Sequence, residues 1–213
     1  MSESGDWRSA KKAQTRRSIQ DHALRLFVAN GYDDTTVEEI AAAAGVSHMT
    51  FFRHFPRKEE VVEYDEYDPI MADLIVARPP GESPLEAVAA AMRAGLQMIL
   101  PTDRDSILIR TRLLLSTPAL QARNWIAQEA TRDLIADALA RRAGMAGPDL
   151  ATSAQAAAIV AASGTAITAW AAEGGTRDLV AVIDEALTAL ATMATVSAGP
   201  AAEPEPAPPG ARP

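Results

Sequence analysis

Between Thr35 and Pro56 two helical segments, each too short to be stable alone, are separated by a single glycine. Thr35 with Glu38 and Thr36 with Glu39 form overlapping capping boxes, whose side chains satisfy the free amides of a helix start. The helix running through Ile40 and Ala43 has to stop at Gly45, because a tight turn between helices needs one residue at positive φ and glycine enters that region without steric penalty. Ser47 is a good N-cap for the next helix, Thr50-Phe51-Phe52 gives that helix a buried side, and Pro56 closes it after Phe55. Val37, Ile40, Ala41, Val46, Phe51 and Phe55 are enough to fill one small core. The spacing is that of a helix-turn-helix.

Composition extends this reading to the whole chain. Hydrophobic residues make up 48% of 213 and aromatics only 5%; much of the balance is alanine, which favours helix and leaves few β-branched runs for strands. The expected fold class is all-α. Without cysteine, disulfide frameworks, thiolate zinc sites and cysteine nucleophiles are excluded. The chain has no G-x-G-x-x-G, Walker loop, H-E-x-x-H or G-x-S-x-G, and its histidines (His22, His48, His54) all lie in the N-terminal region, so no enzyme, cofactor or metal is expected. The acidic run Glu63-Tyr64-Asp65-Glu66-Tyr67-Asp68 spreads its carboxylates over more than one helix face and is not expected to hold a cation.

The formal charge is −8, but Trp7 to Lys58 holds nine Lys/Arg against five Asp/Glu, an excess of +4 that leaves −12 elsewhere. A basic module on an acidic body suits a polyanion at one end only. The N-terminus MSESGDWRSAKKAQTRR lacks the apolar stretch of a signal peptide, and no later run approaches the roughly 18 uninterrupted apolar residues of a membrane span. A cytoplasmic protein with no membrane partner is expected.

Along the chain, residues 1–14 read as a flexible arm, and Ile19, Ala23, Leu26 and Phe27 give a first helix that stops at Asn30-Gly31. Beyond Lys58 a fourth helix runs through the acidic stretch to Pro69, which is expected to kink or interrupt it and to serve as a hinge between domains. Ser83-Pro84-Leu85-Glu86 opens the next helix; Pro101 is expected to stop it, another helix spans 103–115, and Pro118 begins a long one ending at Gly144. The last two helices, about Pro148 to Ala172 and Thr176 to Val196, flank Gly174-Gly175. The first of them is small and apolar almost all round, so it needs burial on more than one side; a homodimer formed through these two helices as a four-helix bundle is expected, with a buried hairpin in a monomer as the alternative. AGPAAEPEPAPPGARP reads as a disordered Pro/Ala-rich tail.

The string from Gly31-Tyr32-Asp33-Asp34-Thr35 through Gly45-Val46-Ser47 to Phe55-Pro56-Arg57-Lys58-Glu59 resembles the TetR family of bacterial transcriptional regulators, and the resemblance covers about residues 15–62. It implies an N-terminal three-helix helix-turn-helix domain (15–62), a helical ligand-binding and dimerisation domain (63–197), the arm (1–14) and the tail (198–213). It also implies a ligand-responsive repressor that binds a palindromic operator as a homodimer and is released by a small-molecule effector. The C-terminal half, with Arg112-Leu113-Leu114-Leu115-Ser116-Thr117-Pro118-Ala119-Leu120 and Trp170 ahead of Gly174-Gly175, looks most like members whose effectors are acyl-CoA-like thioesters, another hydrophobic acid being the other option. A chain of this fold that had lost DNA binding would instead be a helical interaction protein.

In a helix-turn-helix the first side chains of the second helix reach base edges in the major groove. Ser47, His48, Met49 and Thr50 hold those positions; a histidine donates to guanine or accepts when neutral, and Met49 and the Thr50 methyl suit a thymine methyl. The plainer reading is that Ser47 only caps and Thr50 points inward. Phe52 stands where the family most often has tyrosine, so its contact with DNA is apolar. Thr36, Arg53, His54 and Lys58 flank the helix and are candidates for phosphate, with Lys11, Lys12, Arg16 and Arg17 extending the footprint. For an effector cavity the candidates are Met92, Met98, Leu114, Trp125, Ile126 and Trp170, with Arg110 or Arg112 neutralising an anionic group.

Overall fold

The computed structural model describes residues 3–64 and 67–196, and among these there are ten helices and no strand. They are α1 (Glu3–Asn30), α2 (Val37–Ala43), α3 (His48–His54), α4 (Glu59–Glu63), α5 (Asp68–Val76), α6 (Pro84–Ser116), α7 (Pro118–Gln121), α8 (Asn124–Arg142), α9 (Leu150–Ala172) and α10 (Leu179–Val196).

Two hydrophobic clusters organise them. In the first, Ile19, Ala23 and Phe27 of α1 meet Ile40 of α2, Phe51 of α3, Phe55, and Val61 and Val62 of α4. Phe51 and Phe55 are fully buried, each contributing about 2–3 kcal/mol of transfer free energy. This core is not closed by the first four helices alone: Leu120 of α7 is fully buried in it, and Ile109, Leu113 and Leu114 of α6 pack against it. The second cluster joins Ile75, Val88, Ala91, Leu108, Ile135, Leu139, Ile159, Trp170, Ile183 and Leu187, drawing on α5, α6, α8, α9 and α10. The long α6 thus belongs to both cores.

Local chemistry places the element starts where the sequence puts them. Of the two overlapping capping boxes the one that forms is Thr36 with Glu39; the Thr35 hydroxyl is buried and donates to the Gly31 carbonyl at 2.7 Å instead. Gly45 takes φ +66°, as the turn requires. Ser83 with Glu86 and Asp149 with Thr152 cap α6 and α9 in the same reciprocal way.

Four expectations about the elements change. Residues 3–14, expected as an irregular arm, continue α1 as helix. Pro101 does not stop a helix but lies inside α6. Pro101 and Gln97, whose carbonyl the proline leaves without its helical donor, both face solvent, and α6 is held at its two ends by different cores, so tertiary packing offsets the lost bond. The helix expected from Pro118 to Gly144 is two helices, α7 and α8, separated at Ala122-Arg123. Arg123 is fixed there by an ion pair to Glu63 at 2.8 Å. Finally, of the two outcomes expected near Pro69 it is the interruption that occurs, earlier than the proline: α4 ends at Glu63, and Pro69 occupies the first turn of α5, a position that accepts proline, so it opens a helix instead of kinking one. Asp65, Glu66 and the Pro/Ala-rich tail lie outside the described residues.

α9 is long and apolar enough to cross a membrane by length and composition, with mean hydropathy 1.4 over its best window, of which 28% is buried inside the chain. Ala154, Ala157, Ala161, Thr165 and Thr168 leave a small-residue face exposed along it.

Candidate nucleic-acid interface and ligand cavity

The outward face of α3 is set by what its inward face must bury. Phe51, His54 and Phe55 turn into the first core, which leaves His48, Met49, Phe52 and Arg53 pointing away from it. Met49 is 76% exposed and Phe52 37%, so the outward face of α3 carries an apolar edge beside His48 and Arg53. His48 packs against Phe52 with ring centroids 4.7 Å apart, and its Nε2 lies 3.2 Å from the Glu38 carboxylate of α2. That contact ties the two helices and also holds an anion beside the base-reading position. Ser47 accepts from the Thr50 amide at 3.1 Å, and the two hydroxyls are 2.9 Å apart, so both are partly occupied by capping.

The expected phosphate contacts divide. Arg53 is exposed and free to reach out. His54 is not: only 4% of it is accessible, it faces the core, and its Nδ1 has no hydrogen-bond partner. Burial, then the charges of Arg16, Arg53 and Lys12, hold its pKa below the usual histidine value, and a ring turned into the core is not placed to meet a phosphate. Lys58 is directed inward as well, donating to the carbonyls of Tyr32 at 2.8 Å and Thr35 at 3.0 Å with its ammonium 4.3 Å from the centre of the Tyr32 ring. The Thr36 hydroxyl is engaged with Glu39, whose carboxyl is held below its ordinary range by hydrogen bonds from the Thr36 amide and hydroxyl. These three residues build the turn that presents α3.

The helical continuation of α1 changes the role of its basic residues. Arg16 donates to the His54 carbonyl at 2.7 Å, and Arg17 pairs with Asp103 of α6 at 2.5 Å. Lys12 is close enough to act on His54, and Arg8, Lys11 and Lys12 are exposed, so the outward cations near α3 include Lys12 and Arg57 besides Arg53. A helical reading of residues 3–14 would have put Lys12 one turn before Arg16 on the same face; their lack of apolar periodicity concealed it.

Between α4 and the second core lies a cavity of about 760 Å³. Of the expected lining residues, Met92 and Arg110 border it, and Arg110 also donates from Nε to the Val62 carbonyl at 2.9 Å. The others do not. Met98, Trp125 and Ile126 are exposed, at 63%, 60% and 42%. Leu114 packs on the first core, and Trp170 is buried in the second with its indole N–H given to the Arg177 carbonyl at 3.0 Å. Arg112 points toward Gly174 instead. The residues missed are regular in sequence: Leu96 and Ile99 join Met92 and Arg110 on α6, with Gln128, Thr131 and Ile135 on α8 and Val160, Ser163, Gly164 and Ile167 on α9. The last set is spaced i, i+3, i+4, i+7, one helix face, and could have been found by asking which stripe of α9 faces inward. Phe55, Arg16, Glu60, Glu63 and Tyr64 complete the wall beside the first core. Among the described residues no group of three His, Cys, Asp or Glu is placed to hold a metal.

Comparison with known proteins agrees with this geometry. Residues 19–64 match the family model for bacterial regulatory proteins of the tetR family, and residues 82–195 match the MftR C-terminal domain. The chain is 36% identical over 145 residues to the HTH-type transcriptional regulator TcmR of Streptomyces glaucescens, a match spanning 65% of this chain and 64% of that protein. It is 31% identical over 137 residues to MftR of Mycobacterium tuberculosis, spanning 63% of this chain and 68% of that one. Among solved structures, the TetR-family repressor FadR of Thermus thermophilus, in complex with lauroyl-CoA, superposes with a TM-score of 0.52 at 29% identity, covering 92% of this chain and all of that one. TylP of Streptomyces fradiae superposes with a TM-score of 0.50 at 27% identity, covering 84% and 86%. With a helix-turn-helix at one end and a matched C-terminal domain over more than half its length, the chain belongs to the TetR family of bacterial transcriptional regulators.

Proposed function

We propose that the protein is a cytoplasmic repressor that binds a roughly palindromic operator as a homodimer and leaves it when a hydrophobic acid or acyl-CoA-like thioester enters the cavity. The observation that carries this reading is the arrangement of α3: His48, Met49, Phe52 and Arg53 face outward, while Phe55, directly after the same helix, forms part of the cavity wall. One short element therefore touches both the surface for DNA and the space for a ligand.

In this reading residues 15–62 form the DNA-binding domain and 63–197 the effector-binding and dimerisation domain. His48 and Met49 meet base edges, Ser47 and Thr50 contribute to the extent that their mutual capping allows, Phe52 makes an apolar contact, and Arg53 holds phosphate. The exposed small-residue face of α9 and its neighbour α10 packs against its mate, which supplies the burial that so apolar a helix lacks in one chain. The complex of Thermus FadR with lauroyl-CoA supports an acyl chain as the effector class. Binding shifts the protein only insofar as the ligand prefers the released state.

Retardation of DNA from the protein's own promoter region, measured across a salt series, tests the reading. Binding that depends on sequence and weakens steeply with salt is expected. Loss of neither affinity nor selectivity in the double variant His48→Ala, Arg53→Ala would point to a helical interaction protein instead.

A further inference from the structure

We infer that Arg16 is the residue through which an occupied cavity acts on α3, and that the group it reads is the anionic head of the ligand. The inference rests on the proposed function and deepens it. Arg16 lies on α1, yet it has one partner on each side of the boundary between cavity and DNA-binding surface. Its Nη2 donates to the carbonyl of His54, the last residue of α3, at 2.7 Å. That carbonyl is among those a helix C-terminus leaves without a donor, and a guanidinium there also meets the negative end of the helix dipole. On the other side Arg16 borders the cavity, its guanidinium lying 4.3 Å from the centre of the Tyr64 ring and 5.3 Å from that of Phe55, both wall residues.

Arg16 is not fully satisfied in this position. Its Nε is buried and has no hydrogen-bond partner, and neither has Nδ1 of His54, the residue whose carbonyl it holds. A buried N–H of a charged group left unpaired is costly, and an acceptor oxygen delivered by a ligand would relieve that cost. Two acids share that wall: Glu63 is already paired with Arg123 at 2.8 Å, and Glu60 lies near the same arginine. A carboxylate, or another anion on an apolar chain, is the ligand chemistry that fits: the head on Arg16, the chain along Met92, Leu96 and Ile167. Engaging the guanidinium this way competes with its hold on the His54 carbonyl and loosens the end of α3. Arg16 is then a positioning residue for DNA binding that the ligand can withdraw.

The test uses the full chain, promoter DNA, and two probes of equal chain length, dodecanoate and dodecylamine. For the native protein, dodecanoate is expected to weaken DNA binding about tenfold, dodecylamine far less. Arg16→Met keeps length and packing on Tyr64 but removes the donor; it should bind DNA about tenfold more weakly without any probe, and dodecanoate should add at most about a twofold further change. Arg16→Lys, which keeps charge and a donor, should recover part of both. A purely structural Arg16 would lower affinity and leave the probe's fold effect intact, and that result overturns the inference. If the native protein releases DNA with dodecylamine and not dodecanoate, the anionic head is wrong. If neither probe changes the melting temperature or DNA binding of the native protein, the cavity reading itself falls, an outcome separate from an Arg16 variant that still responds.

Discussion

His48 and His54 sit six positions apart at the two ends of one short helix, and their chemistry diverges because one faces water and the other the core. His54 is held below its usual pKa by burial and by the cations around it. The unfolded chain therefore takes up a proton that the native state resists, and stability rises with pH through the region below the ordinary histidine value and is level above it. Melting temperature is expected to drop as pH falls from about 6.5 toward 5, and the slope in that window should flatten in His54→Gln. Arg53 makes a different prediction. Exposed at the flank of α3, it should contribute to all sequences alike, so Arg53→Ala weakens binding uniformly and lowers the salt slope by about one, whereas His48→Ala should alter preference at one base position by about 1–3 kcal/mol. Competition retardation with single-base operator variants separates the two. Of the proposed site residues, the outward placement of His48, Met49 and Arg53 was legible from spacing; Phe52, read with Phe51 as part of the buried side, is 37% exposed, and His54 and Lys58 turn inward, because exposure depends on which side of α3 the core takes and where the Tyr32 and Thr35 carbonyls lie.

At the scale of elements, the caps were readable and the breaks were not. Ser83, Asp149 and Thr36 start their helices through side chains three residues apart, a local chemistry that the sequence displays directly. Pro101 reads as a stop for the same local reason, yet α6 continues because residues on both sides of it, Val88, Ala91 and Leu108, pack in one core while Ile109, Leu113 and Leu114 pack against the other. Pro101→Ala restores a backbone bond without disturbing a buried contact, as the site is exposed; a gain of about 1–3 kcal/mol is expected in urea or thermal unfolding. If the weak point in α6 helps transmit ligand binding between its halves, the same variant should respond less to ligand in the DNA assay.

For the molecule as a whole, the two cores and the cavity between them depend on contacts distant in sequence. Asp103 illustrates how: it accepts from Arg17 of α1 at 2.5 Å, from Tyr67 at 2.5 Å and from Thr102 at 2.7 Å, joining the DNA-facing module to the C-terminal one. The exposed face of α9 carries the remaining prediction. Ala161→Arg places a charge at the centre of that face, where it has room in a single chain but not in a paired one, and should shift the protein to a monomer by light scattering while its helicity is unchanged. The monomer should bind a palindromic site far more weakly, since it loses the second half-site.

What the sequence determined unaided is what neighbouring residues decide among themselves. The helical class, the caps, the turn at Gly45 and the outward positions of α3 come from backbone sterics and a 3.6-residue period, and these act within a few residues. Which side chains enclose the cavity, that Arg16 and Lys58 turn inward, and that a proline is absorbed into a 33-residue helix were settled by the tertiary structure. Each of those depends on a partner tens of residues away, and burial, unlike capping, has no local signature.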